Sequence, residues 1–179
     1  MEDLSLHLLD IMENSIEADA HRIDITIDED LNNNLLTLEI SDDGKGMDTQ
    51  MLKMAADPFF TTRKTRRFGL GLSMISESAR ATGGELTLES KPGKGTCVRA
   101  VFHRNHIDMK PLGDIPKTLL TVIFGHPEID LSYHHVVGMK EFSFTTMDYR
   151  EAPINSPNVL RRLAEIMRKG IDGLKIRGS

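Results

Sequence analysis

The sequence predicts a mixed α/β protein, and three observations support this fold class. The chain of 179 residues opens on a segment with helical periodicity. Two pairs of alternating segments follow, and each pair is joined by a short turn rich in Asn or Gly. Composition is that of a globular protein, with 39% hydrophobic and 27% charged residues. Helices and hairpins therefore share one chain of a length that suits one domain, alone or with an appendage.

The first third of the chain predicts a helix and a hairpin. Residues 2–20 form an amphipathic helix, because apolar side chains recur at spacings of three and four. Residues 21–30 and 35–41 alternate between apolar and polar side chains, which is typical of half-buried strands. The intervening "NNN" is a turn, so the two strands form a hairpin. The buried helix face consists of Leu4, Leu8, Ile11 and Ser15.

The middle third predicts two helices and a second hairpin. Residues 48–56 form a short helix with Asp48 as N-cap, and residues 70–84 form a helix closed by two glycines. The segment between them has no periodicity and is a predicted loop. Residues 85–90 and 96–103 alternate around "KPGKG" and form the second hairpin.

After Arg104 the pattern changes, and we predict two units: residues 1–104 and an αβ extension of residues 105–179. Ser156 is a good N-cap, followed by proline at the first helical position. His134 and His135 could be a phosphoacceptor or a metal pair. Neighbours on a strand point to opposite faces, so a shared metal is disfavoured and packing is preferred. The extension is predicted to contain a linker (105–114), a helix (115–124), two strands (131–137 and 140–146) and a helix (about 157–169).

Charge and composition limit the partners and the compartment. The net charge of -5 argues against nucleic acid, which requires a basic surface. The longest apolar run, "LLTVIF", is far below the roughly 20 residues that span a bilayer, so no membrane association is expected. A single cysteine, Cys97, excludes an intramolecular disulfide or a cysteine metal cluster. The acidic N-terminus lacks a signal-peptide pattern, so we predict a cytoplasmic protein.

Two polar side chains on the first helix could serve chemistry. Asp10 and Asn14 lie four residues apart and therefore reach the same point. An Asn oxygen can ligate Mg²⁺, and a carboxylate one turn away can accept a proton from a nucleophile. The alternative is that both belong to the solvated side of a surface helix.

The stretch "SDDGKGMD" leaves a strand and places carboxylates beside backbone without side chains. Asp42 could accept a hydrogen bond from an exocyclic amine such as that of adenine. Gly44 and Gly46 allow positive φ and close approach of a flat ligand. The alternative is an ordinary Asp-Gly turn.

The stretch "RRFGLGLSM" carries two glycines at the start of a helix. The free N–H groups there and the helix dipole favour an anion at Gly69 and Gly71. The pattern is neither a Walker sequence nor a strand-linked dinucleotide motif. A basic run, residues 61–67, precedes it. Alone, this signal is weak.

The order of these motifs resembles the GHKL ATPase superfamily, which includes gyrase-type topoisomerases, heat-shock chaperone ATPases, histidine kinases and MutL proteins. The resemblance covers residues 4–103. "LLDIMENSIEADAHRIDI" is similar to the start of MutL proteins. "DPFFTTRK", "GLGLSM" and "SKPGKGT" are similar to the catalytic domain of histidine kinases.

The resemblance implies a Bergerat-type two-layer α/β sandwich, with helices on one face of a mixed sheet, that binds ATP and Mg²⁺. Asn14 is the implied Mg²⁺ ligand, Asp42 reads the adenine amine, and residues 57–68 form the ATP lid. Glycines at positions 44 and 46 flank the base. The implied nucleotide-binding set is Asn14, Asp42, Gly44, Gly46, Met47, Thr62, Arg63, Lys64, Gly69, Leu70, Gly71 and Thr96.

Two positions depart from the family patterns. MutL proteins and chaperones carry Glu as the general base four residues before the Mg²⁺ Asn, and histidine kinases carry Asn there. This chain has Asp10, which is one methylene shorter and is the implied catalytic residue. Arg67 replaces the first glycine of the usual phosphate loop. The lid is also short and basic.

The sequence thus predicts Mg²⁺·ATP binding and γ-phosphoryl transfer, as a histidine-kinase-like domain or an ATPase acting with a partner protein or phosphoacceptor. The alternative is a non-catalytic nucleotide-sensing module. The extension is expected to form a homodimer or a docking surface, because its strands carry apolar residues on both sides. Truncation after Arg104 is then expected to keep ATP binding.

Overall fold

The computed structural model describes residues 3–56, 71–150 and 153–175. Every helix and strand predicted from the sequence is present in the predicted order. No helix within these ranges is both long and apolar enough to cross a bilayer. The helices are α1 (Leu4–Glu17), α2 (Thr49–Ala56), α3 (Gly71–Ala81), α4 (Ile115–Gly125) and α5 (Pro157–Leu174). The strands are β1 (Arg22–Asp30), β2 (Leu35–Asp42), β3 (Glu85–Lys91), β4 (Gly95–His103), β5 (Asp130–Val137) and β6 (Lys140–Thr145).

The strands form one mixed sheet in the order β3-β4-β2-β1-β5-β6. Neighbouring strands run antiparallel except β1 and β5, which are parallel. Side chains alternate between a buried face and a more exposed, largely polar face. Helices cover the buried face, so the predicted two-layer fold is confirmed. An apolar row crosses this face through Leu88, Val98, Ile40, Ile25, Tyr133 and Phe144.

Helix α1 lies between α3 and α4 in the helical layer. Its N-terminus is capped by Asp3, whose carboxylate accepts a hydrogen bond from the N–H of Leu6 at 3.2 Å. Leu8 and Met12 on its inner face are fully buried. This packing fixes the orientation of α1 and therefore of its polar face.

Helix α5 continues beyond its predicted end at Lys169, to Leu174. Gly170 lies under the ring of Phe142, because a methyl group built on it would lie 2.2 Å from Phe142 Cδ2. Glycine usually weakens a helix. Here its missing side chain lets α5 approach β6, so tertiary packing extends the helix.

The extension shares the sheet with the rest of the chain. β5 pairs with β1 over eight residue positions, and α4 packs against α1. The N–H of Leu4 donates to the carbonyl of Pro111 at 2.9 Å. Val137 and Phe144, two of the apolar residues that suggested an association surface, are buried within the chain. The boundary at residue 104 stays a prediction.

The shared sheet changes the expected result of truncation: instead of keeping ATP binding, a protein of residues 1–104 should unfold without cooperativity and self-associate. Truncation uncovers the edge of β1 and the side of α1 that α4 covers, and an exposed edge strand pairs readily with other chains. Thermal unfolding and size-exclusion chromatography, compared with the full chain, measure this. A monomeric fragment that unfolds cooperatively and binds ATP would instead establish an independent domain ending at residue 104.

A partly buried chain of polar groups joins β1, β5 and Arg104, the residue after β4, at the end of the sheet away from Asp42. The carboxylate of Glu29 accepts hydrogen bonds from His135 Nε2 at 3.1 Å and from Arg104 at 2.8 Å. His135 Nδ1 lies 2.9 Å from the hydroxyl of Tyr133. A carboxylate only accepts, so Nε2 of His135 carries the proton of the bond to Glu29. Burial, reinforced by the charge of Glu29, raises the pKa of Tyr133.

Because Glu29 bonds to His135 and Arg104, we expect part of the free energy of unfolding to be sensitive to acid. The hydrogen bond from His135 and the charge of Arg104 lower the pKa of Glu29 below its ordinary value of 4.5, against the effect of burial. Ionised Glu29 therefore stabilises the fold above about pH 4.5, and this contribution is lost as the pH falls through the lowered pKa.

Urea unfolding of the parent protein and of Glu29→Gln across this pH range measures that contribution as a difference. The difference should shrink as the pH falls below about 4.5. Other acids titrate in both proteins and cancel. A difference independent of pH would contradict the prediction.

Candidate functional site

A pocket of about 330 Å³ opens between α1, the loop after β2 and the floor strand β4. It is partly apolar and is lined by two acidic residues, Asp42 and Glu17. A pocket of this size suits a small organic ligand. Its lining residues are Ile11, Asn14, Ser15, Glu17, Ala18, Asp42, Lys45, Gly46, Met47, Met51, Leu72, Thr96 and Val98.

Three hydrogen bonds fix the carboxylate of Asp42. Its Oδ2 accepts from the hydroxyl of Ser15 at 2.7 Å. Its Oδ1 accepts from the N–H of Gly44 at 2.9 Å and from the N–H of Thr96 at 3.2 Å. A carboxylate has about four acceptor positions. Asp42 is therefore held rigidly and keeps acceptor capacity for a donor in the pocket.

The glycines after Asp42 are required by the protein's own backbone. A methyl group on Gly46, whose φ is +65°, would lie 2.0 Å from the carbonyl oxygen of Lys91. A methyl group on Gly44 would lie 2.7 Å from the carbonyl oxygen of Ala18. Gly46 lines the pocket, whereas Gly44 lies behind Asp42. Close packing of chain segments thus explains both glycines without a ligand.

Asp10 and Asn14 lie one turn apart on α1. Asn14 lines the pocket, and Asp10 lies beyond it against the first residue of α3. A methyl group on Gly71 would lie 2.6 Å from Asp10 Cβ and 3.3 Å from Asp10 Oδ2. Only glycine therefore allows α3 to begin this close to Asp10, with Leu72 reaching the pocket. The arrangement places a carboxylate beside a helix N-terminus at one end of the pocket.

The sequence-predicted set is only partly brought together within the described residues. One pocket is lined by Asn14, Asp42, Gly46, Met47 and Thr96 of this set. Gly44, Gly71 and Asp10 support it from outside. The remaining members of the set, Thr62, Arg63, Lys64, Gly69 and Leu70, lie outside the described residues.

Sequence reasoning missed several lining residues. Ser15 is the most informative, because it is 3% exposed and bonds to Asp42. A lone serine on the apolar face of α1, directly after Asn14, was the available signal. Met51 and Leu72 also line the pocket. Both lie in predicted helices, and no local sequence pattern marks either residue as part of a site.

Cys97 follows Thr96 on β4 and points to the opposite face of the sheet. Burial, followed by the charges of Glu39 and Glu89, raises the pKa of its thiol. The thiol therefore stays protonated near neutral pH and is a poor nucleophile.

The part of the chain that matches a family model includes every residue that lines the pocket. The family model described as histidine kinase-, DNA gyrase B-, and HSP90-like ATPase matches residues 2–106. The chain is 39% identical to sensor protein kinase FleS of Pseudomonas aeruginosa over 95 residues, which are 53% of this chain and 23% of that protein. It is 37% identical to sporulation kinase E of Bacillus subtilis over 97 residues, 53% of this chain and 12% of that protein.

The chain thus spans less than a quarter of the length of these two relatives. A structural match is the crystal structure of the N-terminal domain of a DNA repair protein. It has a TM-score of 0.52 and 20% identity, and covers 81% of this chain and 52% of that chain. At this identity the match concerns the fold alone.

Proposed function

Because the chain belongs to the histidine kinase-, DNA gyrase B- and HSP90-like ATPase family, we propose that its pocket binds Mg²⁺·ATP for γ-phosphoryl transfer. The protein acts as a histidine-kinase-like catalytic domain or as an ATPase, together with a partner protein. The observation that carries this proposal is the rigid Asp42 carboxylate at the floor of a small, partly apolar pocket.

Asp42 and the apolar walls suit adenine. The carboxylate only accepts, so it selects a ligand edge that carries an N–H donor, such as the adenine amine. Ile11, Met47 and Val98 line the pocket, and methionine adapts well to a flat ring. In the same orientation guanine would turn its ring oxygen substituent towards Asp42, where adenine presents its amine, and would be disfavoured.

Asn14 fits a role as the protein ligand of Mg²⁺. It lines the pocket on the side of Asp10, and an amide oxygen is a hard ligand of the kind Mg²⁺ accepts. Mg²⁺ usually binds through one or two protein oxygens together with substrate phosphates and water. When bound, the ion would neutralise charge on the β- and γ-phosphates.

We expect Asn14→Ala to weaken ATP binding strongly with Mg²⁺ and only slightly without it, since Asn14 acts through the ion. Isothermal titration with ATP, in Mg²⁺ and in EDTA, gives both affinities. Glu13→Gln, on the exposed neighbouring position of α1, is the matched control. Equal losses in both conditions would assign Asn14 to packing rather than to metal binding.

Asp10 and the start of α3 suit the phosphate end of the nucleotide. The free N–H groups at a helix N-terminus favour phosphate, and Arg63 and Lys64 of the predicted lid would add positive charge. Asp10 lies against Gly71 at this helix start. A carboxylate there can accept the proton of a water or serine nucleophile.

Incubation with γ-labelled ATP and Mg²⁺ tests the proposed reaction. The protein alone, and the protein with an extract of its cells, are compared. Released phosphate indicates an ATPase, and a labelled protein indicates a kinase. ATP binding without either product would overturn phosphoryl transfer and leave nucleotide sensing, and absence of ATP binding would overturn the whole proposal.

A further inference from the structure

We infer that Ser90, on β3 outside the pocket, is a positioning residue that orients the Thr96 hydroxyl and the Met47 backbone towards the bound base. The inference rests on the proposed ATP binding and deepens it, because it assigns part of the preference for adenine. Ser90 is absent from the pocket lining, so it acts through its neighbours.

Ser90 connects three parts of the site by hydrogen bonds. Its hydroxyl accepts from the N–H of Met47 at 2.8 Å. The same hydroxyl donates to the carbonyl oxygen of Gly95 at 2.9 Å and lies 2.9 Å from Thr96 Oγ1. Met47 and Thr96 both line the pocket. One half-buried hydroxyl therefore joins the loop after β2 to the floor of the site.

The two segments that Ser90 joins are packed too closely to adjust freely. The N–H of Gly93 donates to the carbonyl of Lys45 at 2.7 Å. A methyl group on Gly95 would lie 1.8 Å from the carbonyl oxygen of Asp42. Close-packed backbone transmits a small displacement rather than absorbing it. Loss of the Ser90 hydrogen bonds is therefore expected to displace Asp42 and Met47.

The single proton of Ser90 also sets the polarity of Thr96. A carbonyl oxygen only accepts, so Ser90 donates this proton to Gly95 and accepts from Thr96, and Thr96 then offers the pocket only lone pairs. This arrangement places a second acceptor beside Asp42.

The two acceptors match the adenine amine, whose nitrogen carries two hydrogens to donate, whereas guanine in the same orientation presents an oxygen that cannot donate. Ser90 maintains this arrangement because it accepts the Thr96 proton while its own proton goes to Gly95. Its hydroxyl thus helps Thr96 to complement the base that Asp42 selects.

Titration of ATP and GTP in EDTA isolates the base from the metal. We expect Ser90→Ala to lower ATP affinity about tenfold, the worth of one or two hydrogen bonds, and to leave GTP affinity nearly unchanged. Ser90→Thr keeps the hydroxyl and should retain the parent ATP affinity. Ser78→Ala is the control, because the Ser78 hydroxyl donates within its own helix, to the carbonyl of Met74 at 2.8 Å.

The outcomes separate this inference from the proposed function. A parent protein that binds no ATP overturns the proposed function, and with it this inference. A parent that binds ATP, with a Ser90→Ala variant that binds it equally well or loses ATP and GTP equally, overturns the role of Ser90 alone. If Ser90→Ala does not fold, Ser90→Cys, which makes only weak hydrogen bonds, replaces it with the same expected loss.

Discussion

Asp42→Asn is expected to lower ATP affinity by about one to two decades while the protein stays folded. The substitution replaces a carboxylate that only accepts by an amide that presents N–H groups. Loss of a charge-assisted hydrogen bond costs about 1.5–3 kcal/mol. In the variant, the amide NH2 group must also face an existing hydrogen-bond donor, whichever way the amide is turned. That donor is the Ser15 hydroxyl on one side, or the N–H groups of Gly44 and Thr96 on the other.

The neighbouring residue provides the matched control. Asp43 is exposed, and its Oδ1 accepts from the N–H groups of His21 at 2.7 Å and Arg22 at 2.8 Å. Asp43→Asn makes the same chemical change outside the pocket and should leave ATP affinity unchanged. Calorimetry measures binding, and thermal unfolding confirms folding. An Asp42→Asn variant that binds ATP like the parent would reduce this loop to an ordinary turn.

Asp10→Asn is expected to keep ATP affinity nearly intact and to lower turnover by about 10²–10⁴-fold, the usual worth of a positioned general base. Asp10 lies outside the pocket lining but against Gly71, so its loss changes the reacting end and not the base contacts. Turnover is measured as released phosphate or labelled protein, with affinity measured in parallel. Glu13→Gln on the same helix is the control.

The size of this effect also identifies the nucleophile. A neutral histidine ring has its own lone pair and requires no base, whereas water and serine must lose a proton. Unchanged turnover with an acid-labile phosphoprotein would contradict the role of Asp10 and favour histidine phosphorylation. A large loss favours hydrolysis or transfer to serine.

Local patterns predicted the elements well. The hairpin β1–β2 follows from alternation on both sides of a short turn, and its register pairs Ile25 with Ile40. The helix α1 follows from its apolar spacing. These features depend on residues close in sequence, so the sequence alone specifies them. The motifs around Asp42 and Asn14 were also found, and both residues line one pocket.

Long-range packing was not predictable in the same way. The parallel pairing of β1 with β5 joins segments about a hundred residues apart. Neither strand has a sequence pattern that identifies the other as its partner. The bonds of Ser15 and Ser90 likewise depend on segments that meet only in the folded chain. The extent of α5 depended on Gly170 meeting Phe142, which outweighs helix propensity.

The position of Cys97 allows nucleotide binding to be followed by fluorescence. It is the single thiol of the chain, so a maleimide fluorophore attaches at one place without mutagenesis. The dye would sit one residue from Thr96 on the reverse face of the floor strand, close to bound nucleotide yet outside the pocket. Because the pKa of the thiol is raised, coupling should proceed faster in mildly alkaline buffer, and emission changes on titration would report occupancy in real time.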